Sequence, residues 1–220
     1  MTRREWRLPA ALILLSLVPV IAGAARVTEL GSGPEVTDGN ARFVADPVPV
    51  VLHIVGAVVY SLVGAFQFVP SLRRYRWHRW AGRVLVPCGL TVALTGLWMT
   101  FAYDLPAHDN AIVNGERVVF GSAMALAILL GLAAALRRDF TRHRAWMVRG
   151  YAIGLGAGTQ AFTHAPYLLV SGGEQPGGNG RAVLMLAGWV INLAVAEWFL
   201  RRPNRTARPR QARRPSVAAG

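Results

Sequence analysis

The chain of 220 residues contains no lysine, a single cysteine and only 11 acidic residues. Each shortage excludes something. One cysteine, Cys88, allows neither an intrachain disulfide framework nor a thiolate metal site. With 16% charged against 53% hydrophobic residues, polar surface is too scarce for a soluble domain, and the composition instead suits a polytopic membrane protein. Also missing are a phosphate loop, a nucleophile and base pair and a carboxylate dyad, and the glycine-rich stretches lie in apolar helices rather than in a dinucleotide fingerprint. No residue is therefore assigned a catalytic role.

What the chain has in quantity is apolar length. Six runs, at residues 8–25, 48–69, 84–103, 118–136, 146–170 and 182–200, each approach the roughly 20 residues that cross a hydrocarbon core. None alternates as a barrel strand would, and backbone polar groups in lipid must be satisfied internally. The expected fold is all-α, a polytopic bundle of six transmembrane helices.

The net charge of +13 would fit a nucleic-acid partner only if the arginines formed a patch, and they do not. They stand at the ends of apolar runs. Arg3, Arg4 and Arg7 precede the first run, five arginines lie in each of the segments 71–83 and 137–149, and seven follow the last run, which accounts for 20 of the 24. By the positive-inside rule these positions face the cytoplasm, with both termini inside, as in a multi-pass protein of the inner (plasma) membrane. The two arginine turns also echo each other: His78-Arg79 followed by Trp80 and Arg83 matches His143-Arg144 followed by Trp146 and Arg149.

Along the chain, residues 1–25 read as a first transmembrane helix or signal anchor. Ala22-Gly23-Ala24 also fits a cleavage site, and an uncleaved helix is the reading preferred for its long apolar run. Residues 26–47 are expected as a non-helical external loop, 48–200 as a five-helix membrane core, and 201–220 as a disordered basic cytoplasmic tail lying against anionic lipid. Gly82, Gly89 and Gly96 make a flat stripe fit for a neighbouring helix or a planar ligand. Gly150, Gly154 and Gly158 mark the fifth span as the most central helix.

Four histidines are candidate ligands. An ionisable side chain inside a span is costly and faces the bundle interior, which singles out His53, and His164 lies at a matching depth near the same membrane face. His78 and His143 form a second equal-depth pair among the arginines. Paired imidazoles on separate helices can hold haem iron; the alternative for the intramembrane histidines is an interhelical hydrogen bond, His53 toward Thr163 or Gln160, and for His78 and His143 that a polar side chain among arginines needs no special cause. His108 reads as a solvated loop side chain, Trp77, Trp80 and Trp146 as interface anchors, and Glu197 with Arg201 as an ion pair one turn apart. Thr159 and Gln160 line a polar site or bind a neighbouring helix.

The motifs Leu52-His53-Ile54, Gly64-Ala65-Phe66-Gln67-Phe68, residues 78–83, Gly96-Leu97-Trp98-Met99-Thr100 and residues 143–149 together resemble a bacterial family of predicted membrane proteins, domain of unknown function 2306. Its helix and histidine layout is distantly similar to cytochrome b561 and ferric-reductase bundles. That resemblance implies haem b and transmembrane electron transfer with a redox partner, and it carries His53, His78 and His143 but not His164. Two functions stay open: a haem-b electron-transfer protein, or a non-enzymatic carrier or accessory subunit whose histidines only stabilise helix packing.

Overall fold

The structure, a computed structural model, describes residues 3–104, 106 and 108–202, and no strand occurs among them. Eight α-helices follow in order: α1 Arg3–Gly31, α2 Ala41–Ala45, α3 Pro47–Ala65, α4 Arg76–Ala102, α5 Ala111–Leu136, α6 Phe140–Gly154, α7 Gly156–Val170 and α8 Gly178–Arg201. Five of these, α1, α3, α4, α5 and α8, are long and apolar enough to cross a membrane. The expected fifth span, 146–170, is instead broken at Leu155 into two helices of 15 residues each. Leu155 sits at φ −79° and ψ 1° between Gly154 and Gly156, where the glycines make the bend cheap.

The expected loop 26–47 is also corrected. α1 runs on to Gly31, with Arg26 paired to Glu29 at 2.5 Å, and α2 occupies five further residues. Asn40 joins the two by donating to Glu29 at 2.9 Å and receiving the Thr37 amide at 2.7 Å. Of the expected tail, 201–220, Arg201 still belongs to α8, and residues 203–220 lie outside the described residues.

Chain direction alternates between the two ends of the bundle. At one end Trp6 of α1 meets Phe66, Phe68 meets Phe199 of α8, and the α5–α6 turn lies close by. At the other, Tyr103 donates to the Asp46 carbonyl at 2.5 Å and Arg181 reaches Asp109 at 2.6 Å. Both arginine segments therefore share one end, and α6 and α7 together run from that end to the opposite one.

Lipid removes most of the hydrophobic drive for helix association, so close packing through small residues carries it. The core gathers around Tyr60, Met124, Ile128 and Tyr151. A Cβ on Gly89 would lie 2.6 Å from the Tyr60 ring and one on Gly154 2.9 Å from it, so both glycines exist to admit that tyrosine. Gly64 does the same for Tyr151, whose hydroxyl donates to the Ser61 carbonyl at 2.6 Å. Gly158 sets α7 against the Leu15 backbone of α1. Helices α6 and α7 thus touch α1, α3, α5 and α8, which makes the broken span the central one.

Candidate functional site

The arginine-rich end is built by two chain reversals. Pro70 ends the first, and residues 66–74 form two single-turn 3-10 segments before α4 starts at Arg76. Arg73 clamps this turn, donating from Nε to the Gln67 carbonyl at 3.1 Å and from Nη2 to that of Phe68 at 3.3 Å. Its guanidinium is held below the ordinary arginine range by burial and by the charge of Arg144. The second reversal is tighter. Asp139 caps α6 by accepting the Arg142 amide at 3.0 Å, directly after Arg138 at φ 61°.

His143, in the first turns of α6, places Nδ1 2.9 Å from the Gly131 carbonyl of α5. A carbonyl only accepts, so Nδ1 carries a proton and donates, which leaves Nε2 as the nitrogen free of this bond and the one that would serve as a ligand. His78 at the start of α4 lies within electrostatic range of His143, and its Nδ1 is buried with no hydrogen-bond partner among the described residues. Both side-chain polar atoms of Gln67 and the Ser71 hydroxyl are buried at the same end and have no partner among the described residues. Sequence reasoning missed Gln67 and Ser71; an amide and a hydroxyl beside a proline at a span end were the available signal.

His53 and His164 are not set up as a pair. α3 packs on α1, α4 and α6, whereas α7 packs on α8 and α1. His53 Nδ1 lies 3.1 Å from Thr95 Oγ1, and that hydroxyl gives its own proton to the Thr91 carbonyl at 2.6 Å, so His53 is the donor. The partner expected on the fifth span is thereby replaced by Thr95 of α4. The imidazole lies against Gly96, with Cε1 3.4 Å from where a Cβ would be, and Tyr60 with Ile128 fills the surface at Gly89. At Gly89 and Gly96 the stripe is occupied by the protein's own side chains, and these residues do not fit a haem between His53 and His164. Gly82, beside His78, has open space in front of it.

His164 is buried and donates Nδ1 to the Gln160 carbonyl one turn back at 2.8 Å. Around it runs a polar seam between α7 and α8. Thr163 donates to the Leu184 carbonyl at 2.8 Å, Gln160 to that of Met185 at 3.2 Å, and Thr159 to Asn192 Oδ1 at 2.6 Å. Asn192 in turn donates to the Ala152 carbonyl at 3.1 Å, just before the break at Leu155. Asn192 was missed, although a lone asparagine inside an apolar helix is itself the signal.

One charge expectation is extended and another corrected. The expected Glu197–Arg201 pair is present at 4.0 Å, and Glu197 also holds Arg149 more closely, at 2.6 Å, because α6 lies against α8 there. His108 is not a free loop side chain: it is half-buried at the opposite end, beside an Asp109 carboxylate that is fully buried between Arg117 at 2.7 Å and Arg181 at 2.6 Å. Burial first, then Arg181, pushes the His108 imidazole below its ordinary value. Among the described residues no group of three or more histidine, cysteine or acidic side chains is arranged to hold a metal ion.

A bundle of long apolar helices, with small residues at its contacts and arginines gathered at one end, defines an integral membrane protein. A family model described as "Predicted membrane protein (DUF2306)" matches residues 50–200, and the chain belongs to that family. No curated protein and no solved structure matches it.

Proposed function

We propose that the protein binds one haem b at its arginine-rich end, through His78 and His143, and exchanges electrons there with a redox partner. The carrying observation is the pair of states at these two imidazoles: His143 has its Nδ1 proton fixed on Gly131, and His78 has a buried nitrogen that nothing among the described residues satisfies. Haem, when bound, supplies one-electron chemistry. His143 is oriented by its carbonyl partner, Gly82 leaves space beside His78, and the like charges of Arg73 and Arg144 favour an acidic substituent nearby. A single site at one end serves electron exchange on that face rather than relay across the bilayer.

Purified protein expressed with ample haem is expected to show reduced-minus-oxidised absorption bands that His78→Ala and His143→Ala remove and His53→Ala and His164→Ala leave. Colourless protein, or bands lost only with His53→Ala, would overturn this reading. The second reading, a carrier or accessory subunit with purely structural histidines, is favoured by the complete hydrogen bonding of His53 and His164 at Nδ1.

The topology belongs to the same proposal. The arginine-rich end and both termini face the cytoplasm of an inner-membrane protein, α6 with α7 makes a sixth crossing, and the tail lies on anionic lipid. Reporter fusions after Arg42, Arg76, Asp109, Asp139 and Gly177 are expected to alternate outside, inside, outside, inside, outside. An inside signal at Asp109 would refute it.

A further inference from the structure

Helix α4 carries Arg76, Arg79 and Arg83 around Trp80, and at 100° per residue these four fall within an arc of about 100°. They line a cavity of about 200 Å³, with the Arg83 guanidinium 4.9 Å from the centre of the Trp80 ring. This face points out of the bundle. The buried side of α4 is that of Ala81, Leu85 and Gly89, roughly opposite on the helical wheel. The ion pairs among the described residues engage Arg26, Arg117, Arg142, Arg149, Arg181 and Arg201, and none engages the three arginines of this face.

The same face continues toward the opposite end as Val84, Leu94, Trp98 and Phe101, all exposed, with Phe101 at 75%. A concentrated positive site at the bundle end therefore passes into an outward apolar stripe along one helix. Cationic head and apolar track match the two parts of a phospholipid.

We infer that α4 holds an anionic phospholipid, its phosphate among Arg76, Arg79 and Arg83 beside Trp80, its acyl chains running along Val84 toward Leu94, about one leaflet away at 1.5 Å per residue. Guanidiniums suit phosphate because they donate several hydrogen bonds in a fixed plane, and a tryptophan at the polar boundary fixes headgroup depth. The site is independent of haem, since its residues face away from the core.

The test uses the full chain, delipidated in detergent and titrated with phosphatidylglycerol, phosphatidylcholine or inorganic phosphate, with bound lipid counted by native mass spectrometry. Arg76→Gln/Arg79→Gln/Arg83→Gln is expected to weaken phosphatidylglycerol binding at least about tenfold, in keeping with the contribution of each arginine near an anionic surface. The matched variant Arg137→Gln/Arg138→Gln/Arg142→Gln should lose less than about twofold. Both keep the tail intact, so its contribution cancels. If the triple variant fails to fold, Arg79→Gln alone should still lose about threefold. Equal losses in the two triple variants, equal affinity for phosphatidylcholine, or equally tight binding of inorganic phosphate would overturn the proposal.

Discussion

The two arginine turns look like copies in sequence and behave as opposites in the fold. At the second, acids stand where the arginines need them: Asp139 caps α6 and meets Arg142 at 3.4 Å, and Glu197 holds Arg149 at 2.6 Å. At the first, Arg73 is spent on backbone carbonyls, and Arg76, Arg79 and Arg83 face outward. The histidines divide the same way, His143 satisfied by Gly131 and His78 left without a partner at Nδ1 among the described residues. Shared residue types thus anchor one turn into the bundle and leave the other available to ligands.

The largest expected effect breaks the anchored turn. Glu197→Ala removes a charged partner that is only 32% exposed and strands Arg149 between α6 and α8. A loss of about 1.5–3 kcal/mol in unfolding free energy is expected. Arg79→Ala on the outward face should stay within about 0.5 kcal/mol. Denaturant titration in detergent reads both, and equal losses would erase the contrast between the turns.

Next in size is a histidine comparison. His53→Ala deletes the hydrogen bond to Thr95 and should cost about 0.6–2 kcal/mol, the range for interhelical bonds in membranes. His78→Leu in the haem-free protein replaces a buried unpartnered nitrogen with carbon and should be neutral or stabilising, because an unsatisfied polar group costs about 1–3 kcal/mol. A clear destabilisation by His78→Leu would show that His78 is merely structural.

The fold class was legible because apolar length has one meaning in lipid, and the arginine spacing gave the shared end. What failed was partner choice. Nothing local to His53 says that Thr95, 42 residues later, is its acceptor, and equal depth put it beside His164 although α3 packs chiefly on α4 and α7 chiefly on α8. Similarly, the glycines of α4 read as space for a plane, but Tyr60 and Ile128 from other helices fill it. Spacing reports which residues share a face; only the assembled bundle reports what that face meets. The break at Leu155 was visible as a glycine cluster and was read as packing alone, since small residues serve packing and bending equally well.

A smaller effect concerns the caps. α6 begins with Asp139 as a working cap, whereas α4 begins after Tyr75, which caps with no side-chain bond. Asp139→Ala should cost about 1 kcal/mol. Tyr75→Asp should give α4 a cap and raise the melting temperature of the protein, making the first turn more like the second.

The smallest expected effect comes from His108, the histidine in the segment between α4 and α5, and it tests whether acid acts at the opposite end of the bundle. Its folded value lies below the ordinary one because of burial and the nearby Arg181, so the folded chain resists a proton that the unfolded chain accepts. Where the unfolded state binds more protons, stability rises with pH. The penalty is therefore absent above the ordinary histidine value of about 6.5 and develops as pH falls through it. His108→Gln should flatten that acid-side decline while leaving stability at pH 8 unchanged. The same slope in both proteins, measured by thermal unfolding between pH 5 and 8, would mean that His108 titrates alike in both states and that the acid response resides elsewhere.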